Sequence, residues 1–194
     1  MLRKIPFDTS APVLERFVLS EDAGETILAD MSPELALQTL HEKAFFVDLV
    51  NYFAYGMPPR EGVCWALAVQ VDLLRAPSAP DQALRDLVGQ WVRDPQEGTR
   101  VTLMQAAEDR GHEDPLGWLC NAVAWNGSGS IGPVGGPVVL PPSRLHASGL
   151  LGAIALLAGD TEDSLAAACQ ATFARGMEVA RGGWPGVLGQ GERN

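Results

Sequence analysis

The sequence predicts an all-α protein built from layered antiparallel helix pairs, and three observations carry that expectation. Apolar residues cover almost the whole circumference of three runs, Val63 to Val71, Trp118 to Trp125 and Leu145 to Leu157. A surface helix would show a polar stripe there, so neighbouring helices must cover these runs. Amphipathic segments alternate with them across short linkers, and Pro repeatedly stands just inside a helix start, where its missing N–H costs nothing. An irregular α-solenoid is one arrangement with these features.

The elements follow in chain order. Residues 1–31 form a mixed segment: Ser10-Ala11-Pro12 offers a helix start with Val13, Leu14, Phe17 and Val18 at helical spacing, and the acidic run Glu21 to Glu25 after it is expected to be partly mobile. The domain proper is expected over residues 32–182. Ser32-Pro33-Glu34 is a cap followed by Pro at the first helical position, leading into a helix to about Lys43. Phe45, Phe46, Leu49, Val50 and Phe53 make a second helix that stops at Gly56-Met57-Pro58-Pro59. Pro59 and Glu61 then open the central helix, with the negative charge at the positive end of the helix dipole.

Beyond the linker Ala76 to Asp81, Leu84, Leu87, Val88, Trp91 and Val92 mark one face of a helix that ends at Asp94-Pro95. Gln96 to Arg110 resumes helically with Val101, Met104 and Ala107 as its apolar positions, and Asp114-Pro115 starts the second buried helix. Residues 126–142 are dense in Gly and Pro and cannot be helical; a connection this long in a compact domain is more often functional or mobile than idle. Gly135-Gly136 there is suited to a small hairpin between Ile131 to Val134 and Val138 to Leu140. The third buried helix carries Ala147, Ser148, Gly149, Gly152 and Ala153, small residues that permit close helix contact. The last helix, Glu162 to about Arg181, repeats Leu165, Cys169, Phe173 and Met177 every four residues, and residues 183–194 form a Gly-rich tail.

Composition excludes several roles. At 194 residues, 46% hydrophobic and 20% charged, the chain suits one folded domain with a substantial core. Its net charge is −10 and Lys occurs only at positions 4 and 43, so no basic stripe is available to nucleic acid or an anionic membrane. Cys64, Cys120 and Cys169 lie far apart inside apolar helical patterns, which reads as buried free thiols in a reducing cytoplasm. The start lacks the apolar core of a secretory signal, and the longest apolar run is far short of the roughly 20 residues a bilayer needs.

The motifs that could carry chemistry do not hold up. Gly127-Ser128-Gly129-Ser130-Ile131-Gly132 spells the dinucleotide fingerprint, but a helical pattern precedes it, Pro133 follows it, and position 152 is Gly where an acidic residue belongs. Ser143, His146 and Asp160 or Asp163 could be imagined as a triad, yet no nucleophile elbow surrounds Ser143. His41, His112 and His146 are scattered without carboxylate partners at helical spacing. No catalytic, cofactor-binding or metal-ligating residue is therefore assigned, and no cofactor is expected.

The run Gly56-Met57-Pro58-Pro59-Arg60-Glu61-Gly62-Val63-Cys64-Trp65-Ala66, then Ala124-Trp125-Asn126-Gly127-Ser128-Gly129-Ser130, then Val139-Leu140-Pro141-Pro142, resembles an uncharacterised all-helical bacterial family of unknown function over about residues 32–182. That family is loosely associated with type VI secretion gene neighbourhoods. The resemblance implies an accessory or adaptor role and transfers no catalytic residue.

These readings converge on a cytoplasmic protein-interaction module, an adaptor or chaperone-like accessory protein whose partner is another protein. The alternative is a small-molecule-binding protein or enzyme with a pocket between helices. Candidates for binding the partner or pinning the long loop are Arg60, Trp125, Asn126, Ser128, Ser130 and Arg144. Arg60 stands at a helix start, where a cation opposes the dipole, so it needs an acceptor; the carbonyls exposed where the helix ends near Trp125 are the expected one.

Overall fold

The computed structural model describes residues 1–127, 129–133 and 135–186. Ten helices occur among them: α1 Ala11–Leu14, α2 Glu21–Thr26, α3 Pro33–Glu42, α4 Phe46–Gly56, α5 Pro59–Leu73, α6 Ala79–Arg93, α7 Glu97–Arg110, α8 Pro115–Ala124, α9 Leu145–Ala155 and α10 Glu162–Ala180. The described residues contain no strand. Five of these helices carry Pro in their first turn, and Ser32, Ser78 and Asp114 each accept a backbone N–H at the start of α3, α6 and α8.

Helix α5 is the axis of the fold. Every residue from Glu61 to Gln70 is buried, because α4, α6, α8, α9 and α10 all pack on it. Two polar side chains tie it to its cover. The Trp65 indole N–H donates to the Thr172 carbonyl in α10 at 3.0 Å, and its ring tilts against Phe53 of α4 at 5.3 Å. The Gln70 amide donates to the Pro115 carbonyl at 2.7 Å and the Ala153 carbonyl at 3.2 Å, joining α5 to the start of α8 and the end of α9. A buried amide left without these acceptors would be costly, so the bonds select one arrangement of the three helices.

Around this axis the helices pack as neighbours in sequence, α3 on α4, α6 on α7, α7 on α8 and α8 on α9. The α8–α9 contact is close because α9 carries small residues, as the sequence predicts. A Cβ at Gly149 would lie 2.7 Å from the Ala122 backbone nitrogen, and one at Gly152 would lie 2.5 Å from the Trp118 ring. Ion pairs fasten the periphery: Arg175 of α10 bonds both Asp72 carboxylate oxygens, and Arg110 of α7 bridges Asp81 of α6 and Asp114 before α8. All three cysteines are buried free thiols, and burial pushes Cys64 and Cys120 up to about 12.

The N-terminal segment packs into the helical core. Leu2, Ile5, Val13, Ala23 and Ile27 belong to the same buried core as α5. The acidic run is helical, as α2, because Ser20 caps it and Asp48 of α4 accepts both the Ser20 amide N–H (2.9 Å) and hydroxyl (2.7 Å). In α10, Leu165 is 38% exposed while Met177 is buried. A stripe of period four drifts by about 40° per step against 3.6 residues per turn, so the two lie about 120° apart. Of the hairpin, the described residues show the backbone cross-bond from the Ile131 N–H to the Val139 carbonyl at 2.8 Å, and Val134 lies outside them.

Candidate functional site

The sequence singles out two rims, the turn before α5 and the loop after α8. The loop is held by a residue that sequence reasoning passes over. Arg100, in α7, is only 4% exposed, and its guanidinium donates to the Ala124 carbonyl at the end of α8 (2.7 Å) and to the Ser130 carbonyl (3.0 Å). Both Glu97 carboxylate oxygens accept from it at 2.7 Å, which fixes its plane. The Arg100 partnership in turn holds the Glu97 carboxyl below its ordinary range. A Cβ at position 129 would collide with this guanidinium, so Gly is required there for the loop to pass. The overlooked signal is that Arg100, Leu103, Met104 and Ala107 share the buried stripe of α7. An arginine on an apolar stripe needs a buried acceptor.

Ser130 completes the hold. Its hydroxyl oxygen accepts the Gly132 N–H at 3.1 Å and the Val139 N–H at 3.0 Å, folding the two arms of the loop together. Trp125 caps the end of α8, with its ring edge-on to Trp118 at 6.0 Å. Asn126 lines a depression of about 270 Å³ with Trp91, Glu97 and Arg100, and its buried amide nitrogen has no partner among the described residues. Ser128 lies outside the described residues. The product of this scaffolding is an outward-facing apolar run: Val138 is 76%, Val139 48% and Leu140 59% exposed.

Arg60 does not reach the Trp125 turn. It does cap a helix C-terminus, but that of α6, donating to the Val92 carbonyl and to the Arg93 carbonyl at 3.0 Å, with its guanidinium 5.2 Å from the Trp184 ring. The physical reason is proximity: α6 packs on α5, so its terminal carbonyls meet Arg60, whereas the α8 end is already satisfied by Arg100. Arg144 stands elsewhere again. It precedes α9 in the left-handed conformation, φ 65°, and opens onto a cleft with Arg16 and His146. Burial, and secondarily the Arg144 charge, push His146 down to about 4.

Among the described residues no group of His, Cys, Asp and Glu is placed to hold a metal ion, and no helix is long and apolar enough to cross a membrane. Residues 36–180 match a family described as a family of unknown function (DUF6931), so the chain belongs to that family. No curated protein and no solved structure matches.

Proposed function

We propose that the chain, a member of DUF6931, is a cytoplasmic protein-interaction module, an adaptor or chaperone-like accessory protein that presents its 126–142 loop to another protein. The observation that carries this reading is the exposed run Val138 to Leu140 on a backbone fastened at Ser130, Ile131 and Val139. Solvent-facing apolar side chains on a connecting loop mark a contact surface, and a loop already held in place has little entropy left to lose on binding. Ser130, Ile131 and Val139 spend their polar groups inside the loop, so recognition falls to the side chains of Val138 and Leu140. The finer placement, among accessory proteins of type VI secretion, rests on the sequence resemblance alone.

Affinity capture from cells that naturally produce the protein tests the reading. The wild-type chain is expected to retain a defined protein, and the double variant Val138→Asp, Leu140→Asp to lose it while keeping its melting temperature. A type VI secretion component among the retained proteins would support the finer placement. Identical captures by both chains would remove the loop from the interface. A reproducible bound metabolite in native mass spectrometry, with no protein partner, would favour small-molecule binding instead.

A further inference from the structure

The protein is acidic overall, yet one cleft gathers positive charge. It has a volume of about 320 Å³ and lies between the N-terminal segment, the end of α4, the Met57-Pro58-Pro59 turn and the start of α9. Lys4, Arg16, Arg144 and His146 line it. Lys4 is neutralised by Glu61 at 2.6 Å. Arg16 and Arg144 have no carboxylate within ion-pair distance among the described residues, although the protein carries 24 acidic side chains against 14 basic ones. Arg16 is fixed in place, its Nη1 donating to the Tyr55 carbonyl at 2.7 Å and its guanidinium 5.2 Å from the Phe7 ring. Its remaining N–H donors are left for another acceptor.

The two guanidinium groups act on each other. Burial and then the charge of Arg144 push Arg16 below its ordinary value, with Glu15 opposing them more weakly. Like charges at one cavity are unfavourable unless an anion lies between them. His146 on the same wall stays uncharged near neutral pH and offers one donor and one acceptor. Apart from Tyr55, the rest of the lining, Phe7, Met57, Pro58 and Pro59 among it, is apolar, and the prolines have no N–H to offer. Such walls suit a carbon body better than a bare inorganic ion.

We propose that this cleft binds a small organic carboxylate, with the carboxylate between Arg16 and Arg144 and the apolar body along Phe7 and Met57. The site is independent of the 126–142 loop and stands or falls separately from it.

Phenylacetate titrated into the full chain, followed by backbone amide chemical shifts, tests the assignment. Saturable shifts at Phe7, Tyr55, Met57 and His146 are expected, with a Kd on the order of 1 mM or tighter. Phenylacetamide, the neutral counterpart, should bind at least about tenfold more weakly, the loss expected on removing a charge-assisted contact. Arg144→Gln, at an exposed position that leaves the fold intact, should weaken phenylacetate about tenfold, and Arg16→Gln by a similar factor. Absence of saturable shifts, equal affinity for the amide, or unchanged binding by Arg144→Gln would each overturn the proposal. Inorganic phosphate shifting the same amides at lower concentration than phenylacetate would overturn the organic class of the ligand.

Discussion

The two rims of the molecule use arginine in opposite ways. At the loop rim, Arg100 is almost wholly enclosed and its charge is met by Glu97, so its donors are spent on Glu97, Ala124 and Ser130. At the N-terminal rim, Arg60 is half-buried beside Trp184, while Arg16 and Arg144 face a cleft with no carboxylate paired to either among the described residues. The arginine of one rim is spent within the fold; those of the other are left with capacity. A guanidinium paired in the fold holds structure, and one left unpaired in a cleft is suited to receiving an anion.

The sharpest way to break this contrast is Arg100→Ala. Loss of its bonds to the Ala124 and Ser130 carbonyls should cost about 3 kcal/mol, lowering the melting temperature by roughly 6–12 °C. Limited proteolysis should cut faster within residues 126–142. A melting temperature within a degree of wild type would show that Arg100 does not hold the loop. Arg60→Ala should cost less, about 1–2 kcal/mol, since only the carbonyls at the end of α6 lose their donor. Cleavage of the 126–142 loop should stay at the wild-type rate, and acceleration there would restore the link between Arg60 and the Trp125 turn that the geometry denies.

Acid separates the rims by pH window. Glu97 has a folded pKa below its unfolded value, so its contribution is present above the unfolded value of about 4.3 and disappears as pH falls through the folded one. His146 acts earlier. The unfolded chain takes up a proton near 6.5 that the folded chain resists until about 4, so stability should fall as pH drops from 6.5 towards 4. Chemical denaturation of His146→Gln across that window should give a flatter profile than wild type, and parallel profiles would refute the assignment. The smallest stability effect belongs to Val138→Asp, within about 0.5 kcal/mol because the side chain is exposed. A larger loss in thermal unfolding would mean that Val138 packs against the protein and is not displayed for a partner.

The helices were readable because their signals are local. Ser32-Pro33, Pro58-Pro59 and Asp114-Pro115 announce starts within a few residues, and Val63 to Val69 announces burial by lacking any polar position. The loop after α8 was equally plain from its Gly and Pro content. The arginine roles were not, because each depends on which helix end arrives nearby after folding. Glu97 and Arg100 look in sequence like an ordinary surface pair three residues apart, and nothing local says that the end of α8, 24 residues on, will close over them. Arg60 presented the complementary case: its need for helix-end carbonyls was foreseeable, and the identity of that helix was a tertiary fact. The packing of the N-terminus is a tertiary fact of the same kind, since Asp48 supplies the acceptor for Ser20 from 28 residues away.

The bond from Trp65 to Thr172 spans 107 positions of the chain. During synthesis α5 therefore emerges with its apolar circumference complete and part of its covering absent, and it waits until α10 has been made. At translation speeds of roughly 5–20 residues per second, that interval is on the order of 5–20 s for each molecule. For that time a helix whose residues Glu61 to Gln70 are all buried in the finished fold lacks part of its cover. The cover of α5 is thus completed only at the far end of the chain, and the protein's central helix is closed last.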